Sequence, residues 1–275
     1  MDGKPVSKEI SRRAFLAAGA GAVVVGWVWL RNRPSLPDAA SDTSAPATTV
    51  PPATTTTTGG PPATIAASTT TVTTTTTSNP PIARIEALCR EAWGAAAPVG
   101  VFREHEIERM TVHHTARLLA DNRDAPEAIR GHQRFHQLDR GWPDIAYHFI
   151  IDLEGNVYEC RPVTAVGDTG TNYDPTGHFL VCCEGNFNEQ ALPAAQQAAL
   201  VNVLAWAALE FGVDPETIRG HRDVAATSCP GDNLYPLIES GELARSVSDT
   251  TAAGAVTMEI VCGSPAAGRV AAIEA

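Results

Sequence analysis

Residues 34–82 hold almost nothing but Pro, Thr, Ala and Ser, as in the run PPATTTTTGGPPATIAASTTTVTTTTTSNPP. Two aspartates are their only charges and large apolar side chains are few, so the stretch cannot bury enough surface to offset the entropy of ordering it. It is expected to be a disordered linker, reaching on the order of 150 Å if its 49 residues adopt an extended polyproline form. Whatever folds must therefore follow it. From residue 83 the composition turns globular.

The segment before the linker reads SRRAFLAAGAGAVVVGWVWLRNR. Arg12 and Arg13 precede 17 uncharged, mostly apolar residues, Ala14 to Leu30. A helix of that length reaches about 25 Å, short for a bilayer core of about 30 Å but not impossible. The Ser-Arg-Arg-x-Phe-Leu pattern resembles a twin-arginine export signal. A plain membrane anchor and an ordinary secretory signal are the alternatives. No clean Ala-x-Ala site follows, which leaves cleavage or retention open. Residues 1–33 are thus expected to export the chain or anchor it, and 83–245 to form the folded domain. Residues 246–275 form a tail of unknown role, with one strand-like piece, VTMEIVC (256–262).

Charge narrows the class of partner. After residue 83 the chain has 14 arginines, no lysine and 27 acidic residues, a balance of −13. So acidic a body repels polyanions, which argues against nucleic acid and against bulk attraction to an anionic surface. A polymeric substrate would have to be held by a shaped groove.

Within the folded part, ERMTVHHTA (108–116), DIAYHFIID (144–152), VYECR (157–161) and GHFLVCCEG (177–185) read as strands, with EGN (154–156) turning one hairpin. DAPEAIRGHQRFHQL (124–138) reads as a helix with Asp124 as N-cap, Pro126 in its first turn and an Ile129/Gln133/His136 stripe. The strongest helix is 193–212, with Leu200, Val203, Leu204, Ala207 and Phe211 at helical spacing and Gly212 as a stop. A short helix after Pro230 would close the domain. Strands mixed with helices point to an α/β fold, a central mixed sheet flanked by helices.

The chemistry-bearing segment is IRGHRDVAATSCPGD (218–232). His221 and Cys229 suit zinc, which takes imidazole nitrogen and thiolate sulfur and in catalytic sites commonly has three protein ligands. The third would come from His113 or His114 in MTVHHT. Side chains alternate along a strand, so Met110, Val112 and His114 share one face and Thr111, His113 and Thr115 the other. The apolar company of His114 suits a packing face, and the threonines beside His113 suit a groove. His113 is therefore the expected ligand and His114 a packing histidine.

REAWGA (90–95), MTVHHTA (110–116), GWPDIAYHFIID (141–152), EGNF (184–187) and GHRDV…TSCPGD (220–232) together resemble, in order, the peptidoglycan recognition proteins. They also resemble the type-2 N-acetylmuramoyl-L-alanine amidases, including phage lysozymes of amidase type. The resemblance covers roughly residues 88–240. It implies a mixed sheet with a substrate groove over zinc, and hydrolysis of the amide joining N-acetylmuramic acid to L-alanine. It implies Zn²⁺ on His113, His221 and Cys229, Tyr147 assisting water or the oxyanion, and a further site residue at Thr227, where some phage members carry lysine. It also implies peptidoglycan as the partner, for a chain expected to act as a monomer in the cell envelope or outside the cell. The competing class is a wall-binding module that does not cut; members of that kind typically lack the cysteine.

Another departure is GDTGTNYDPTGHF (167–179), which replaces a His-containing loop of many members. Asp168, Thr169, Asn172 and Tyr173 are candidates to read the substrate there, unless this is simply a turn-rich surface loop. Trp142 and His114 are further candidates for the groove lining, although as packing residues both have an alternative role. Arg222 and Asp223 are expected to orient the zinc loop, with Asp223 a candidate partner for a zinc histidine. His132, His136, His148 and His178 are expected to be surface or packing residues. With Cys229 a ligand, five cysteines remain, so at least one stays free or pairs between chains. Cys182 and Cys183, on opposite faces of one strand, should not pair with each other.

Overall fold

The computed structural model describes residues 83–275. The expected export or anchor segment (1–33) and linker (34–82) lie outside the described residues.

Seven strands form one mixed sheet: β1 (Ala83–Leu88), β2 (Arg109–His114), β3 (Phe149–Ile151), β4 (Val157–Glu159), β5 (His178–Cys183), β6 (Arg219–Gly220) and β7 (Val256–Val261). Their spatial order is β6-β2-β5-β3-β4-β1-β7. Only the β3–β4 hairpin is antiparallel; the other pairs are parallel. Six helices accompany them among the described residues: α1 (Ala125–Leu138), α2 (Ala194–Phe211), α3 (His221–Val224), α4 (Tyr235–Glu239), α5 (Glu242–Ala253) and α6 (Gly263–Ile273).

Strand parity sorts the core into two layers. Met110, Val112, Phe179, Val181 and Cys183 meet Leu200, Val203, Leu204 and Ala207 of α2 and Leu243 and Val247 of α5. Ile150, Tyr158 and Cys182 face the other way, toward Ile129 of α1, Ala266 and Val270 of α6, and Trp93. The apolar stripe of α2 is the reason it packs where it does. Gly212 ends it in the left-handed region, φ 65°, which favours glycine. In α1 the Ile129/Gln133/His136 stripe is buried, and Gln133 uses its amide on the Ala96 backbone and on Asp144. Asp124 occupies the N-cap position but makes no side-chain cap bond; Asp121 caps the short 3₁₀ turn ahead of it.

DIAYHFIID supplies regular strand only at residues 149–151, because Arg161 intervenes. This fully buried guanidinium donates to the carbonyls of Asp144, Ile145 and Val166, so it satisfies backbone that a neighbouring strand would otherwise pair.

The residues after 245 continue the same body. α5 spans that position, and β7 pairs with β1 along all six of its residues. A disulfide joins Cys89 to Cys262, at the end of β7, while Cys160, Cys182 and Cys183 are buried and unpaired. Cys182 and Cys183 do point into opposite core layers.

His148 makes the fold acid-sensitive. It is fully buried, accepts the Leu180 N–H at Nδ1 (2.9 Å) and donates Nε2–H to the Ala165 carbonyl (3.0 Å), so both nitrogens are committed in the neutral ring. Burial lowers its pKa from 6.5 to about 3. Between those values the unfolded chain binds the proton and the folded protein does not, so stability falls as pH drops. The contribution is up to about 1.4 kcal/mol per pH unit. His136 and His178 act in the same direction. The urea midpoint is expected to decrease from pH 7 to pH 5; a midpoint that holds or rises would contradict this.

Candidate metal centre

Parallel pairing of β2 with β6 aligns Thr111 with Arg219 and Val112 with Gly220. The next residues are His113 and His221, which brings the two imidazoles together with ring centroids 4.6 Å apart. The chain then turns through α3 and loops back, and the Arg222 N–H donates to the Cys229 carbonyl (2.9 Å) to close the loop. Gly231, at φ 98°, completes the return where any Cβ would lie 2.5 Å from the Phe187 carbonyl carbon. The result is a buried group, His113, His221 and Cys229, whose ligand atoms all lie within 4.8 Å of one another.

These atoms fit a metal better than they fit each other. The Cys229 sulfur is 3.7 Å from His113 Nδ1, and the other ring nitrogen, Nε2, is buried without a hydrogen-bond partner among the described residues. Burial, reinforced by His221, pushes the His113 pKa well down, and burial pushes the Cys229 thiol up to about 12. Two desolvated imidazoles and one thiol, with no carboxylate among them, form a neutral set whose sulfur would become a thiolate with a cation to offset it. Two nitrogens and one sulfur form a donor set that zinc takes.

The remaining expected residues fall into distinct places. Tyr147 packs against His113, centroids 5.3 Å apart, and burial together with the nearby Cys182 and Cys229 sulfurs holds its hydroxyl protonated well beyond the usual range. Thr227 is half-buried and its Oγ1 accepts the Cys229 N–H (3.2 Å), which leaves its own proton to donate. Trp142 packs on His136 (4.8 Å) at the end of α1, and His136 in turn lies 6.0 Å from Tyr147, so the end of α1 lies on one side of the centre. The 167–177 loop lies beside His221. Its Tyr173 ring lies 5.2 Å from both His221 and His178, and its hydroxyl is buried without a partner among the described residues. Thr169 bonds to Thr171 (2.8 Å), and Asn172 is exposed at the loop tip.

Three expectations are corrected. His114 does not line the groove: it is 3% exposed, accepts the Phe187 N–H at Nδ1 (3.2 Å) and lends its own N–H to the Cys229 sulfur (3.3 Å). Asp168 does not stand free to read substrate, because Arg161 holds its carboxylate at 2.6 Å. Asp223 does not hold a zinc histidine. Its oxygens accept the Gly220 N–H and the Tyr235 hydroxyl instead, which pins the β6–α3 junction. Arg222 does steady the loop, through Asp232 and the Ser228 carbonyl.

Sequence reasoning missed Thr171, whose Oγ1 lies 2.8 Å from His221 Nε2. Nothing in TGTNY distinguishes this threonine until the loop is folded over α3. It also did not pair His132 with Glu184, a buried carboxylate 3.0 Å from His132 Nε2.

Comparison with known proteins gives a consistent set. The sequence profile of the family described as N-acetylmuramoyl-L-alanine amidase matches residues 103–232. The chain is 30% identical over 186 residues to peptidoglycan-recognition protein LB of Drosophila melanogaster, covering 66% of this chain and 79% of that protein. It is 35% identical over 146 residues to peptidoglycan recognition protein 1 of Mus musculus, covering 50% of this chain and 77% of that one. Among solved structures, it resembles a point mutant of Drosophila PGRP-LB in complex with tracheal cytotoxin. The TM-score is 0.51 and the identity 28%, over 56% of this chain and 93% of that one.

Proposed function

Because the chain belongs to the family of peptidoglycan recognition proteins and N-acetylmuramoyl-L-alanine amidases, we propose that it is an exported zinc-dependent amidase. Its reaction would be cleavage of the amide between N-acetylmuramic acid and the L-alanine that begins the stem peptide. The observation that carries this reading is the convergence of His113, His221 and Cys229 on one point with Tyr147 beside them. A module that only binds has no need of a buried thiol in that place. The PGRP-LB complex with tracheal cytotoxin supports a muropeptide as the groove's ligand. Export, or anchoring through residues 1–33, completes the proposal; no described helix is long and apolar enough to cross a membrane.

When bound, zinc supplies Lewis acidity, drawing the pKa of water toward about 7 and polarising an amide carbonyl. The chain's own residues do the rest. Tyr147, whose proton burial retains, donates a hydrogen bond to the oxygen that gains charge as the carbonyl becomes tetrahedral. Thr227 keeps Cys229 in place and offers a second hydroxyl proton. No lysine follows residue 8, so the charge that a lysine would add at Thr227 is absent. Between α1 and the 167–177 loop the proposed groove would present Trp142, Tyr173 and Thr169, with the Arg140 guanidinium over Trp142 and close to Gly170 as the cation there.

The test is end-group analysis of peptidoglycan incubated with the full-length, zinc-replete protein. Stem peptides with a free N-terminal L-alanine, without new reducing sugar ends, are the expected product. Tight binding with no new amino terminus would instead make the protein a recognition module.

A further inference from the structure

The hydroxyl of Thr171 sits 2.8 Å from His221 Nε2, and Thr171 is itself bonded through Oγ1 to Thr169 Oγ1 (2.8 Å), which also accepts the Thr171 N–H (3.1 Å). The base of the loop is fixed independently by the Asp168–Arg161 pair, and Tyr173 meets the His221 ring edge-on, centroids 5.2 Å apart. A neutral imidazole carries one N–H and one lone pair, and the hydrogen bond made by one nitrogen decides which role the other plays. The Thr171 hydroxyl can accept from Nε2 or donate to it; as the acceptor it leaves Nε2 protonated and the lone pair on Nδ1, with its own proton going to Thr169 Oγ1.

We propose that Thr171 is a positioning residue for the metal centre: by accepting the Nε2–H of His221 it fixes the tautomer and ring angle that present Nδ1 to the metal. The 167–177 loop is thereby latched to a metal ligand, so the wall that faces the substrate and the centre that acts on it are set by one contact. This rests on the amidase reading above, and it assigns to the loop a role beyond lining the groove. The hydrogen-bonding group is a neutral hydroxyl, not the carboxylate or backbone carbonyl that often holds such a histidine. A neutral acceptor adds no charge, so one thiolate alone offsets the cation.

The experiment is zinc affinity, by chelator competition, for the full-length wild type, Thr171→Val and Thr171→Ser, with the unfolding midpoint of each metal-free protein. Removing such a partner typically costs about 10- to 100-fold in metal affinity. Thr171→Val is expected to lose that much, Thr171→Ser to regain most of it, and the metal-free midpoints to agree. Equal affinity of Thr171→Val and wild type would overturn the proposal, as would an equal loss in both variants. Should the Val variant fold poorly, ¹⁵N spectra of the zinc-loaded wild type decide: a proton on His221 Nε2 is required, and one on Nδ1 overturns the proposal. Wild-type protein that binds no zinc would instead defeat the amidase reading itself, a separate result.

Discussion

Cys229→Ser is expected to strip the protein of zinc and to reduce amide hydrolysis about a thousand-fold or more, while the protein remains folded. The size follows from what the centre supplies: Lewis-acid stabilisation is worth several kcal/mol, and each 1.4 kcal/mol is a factor of about ten. Serine is a harder, far less acidic donor than a thiol and contributes no anion at neutral pH. The fold tolerates the change because the loop is held by other means. The Arg222 N–H meets the carbonyl of residue 229, Gly231 N–H meets Ser228 O, and Arg222 holds Asp232. A serine oxygen can still accept the His114 N–H that the sulfur accepts. Because burial raises the thiol to about 12, zinc must displace its proton on binding. Calorimetry in buffers of different ionisation enthalpy should therefore show proton release for wild type and a smaller release for the variant. Zinc retention and turnover at wild-type levels in Cys229→Ser would remove this cysteine from the ligand set.

The second large effect is on Tyr147. Tyr147→Phe keeps the ring that packs on His113 and removes only the hydroxyl. Loss of one hydrogen-bond donor to a developing oxyanion costs about 100- to 1,000-fold in kcat. Zinc content should be unchanged, since no ligand is touched, and KM should change little if the hydroxyl engages the oxyanion and not the bound amide. The raised pKa of Tyr147 also means that its ionisation sets no alkaline limb of the rate profile in the ordinary working range. A variant that hydrolyses at the wild-type rate would leave Tyr147 as packing for His113. One that loses zinc would show the hydroxyl supports the centre.

Much of the site was legible because it rests on local rules. The alternation in MTVHHT separates His113 from His114, and β2 does present them to opposite sides of the sheet. The long apolar stripe of α2 and its glycine stop were likewise readable, and α2 packs as the stripe demands. What could not be read depends on distant chain segments. β1 is six residues with Arg84 and Glu86 among its apolar positions, and its full-length partner β7 lies more than 160 residues away. VTMEIVC therefore looked strand-like yet had no visible neighbour. The Asp223 expectation failed on helix geometry. In α3 it stands two residues from His221, and residues so spaced do not face each other. Thr171 reaches His221 only because its loop, leading from β4 to β5 past the intervening β3, folds against the residue that follows β6, a contact no spacing in the sequence encodes. Arg161 was missed for the same reason: its four acceptors come from Asp144, Ile145, Val166 and Asp168.

The proposed activity requires one metal, held by His113, His221 and Cys229, for cleavage of the muramyl–alanine amide. Its most direct test is to remove metal from the full-length protein with a chelator, titrate zinc back, and follow release of peptides with N-terminal L-alanine from peptidoglycan. Release should vanish on chelation and return linearly until one zinc per chain is bound, then plateau. Release that persists undiminished in metal-free protein, or peptidoglycan binding with no release at one zinc per chain, would contradict the account.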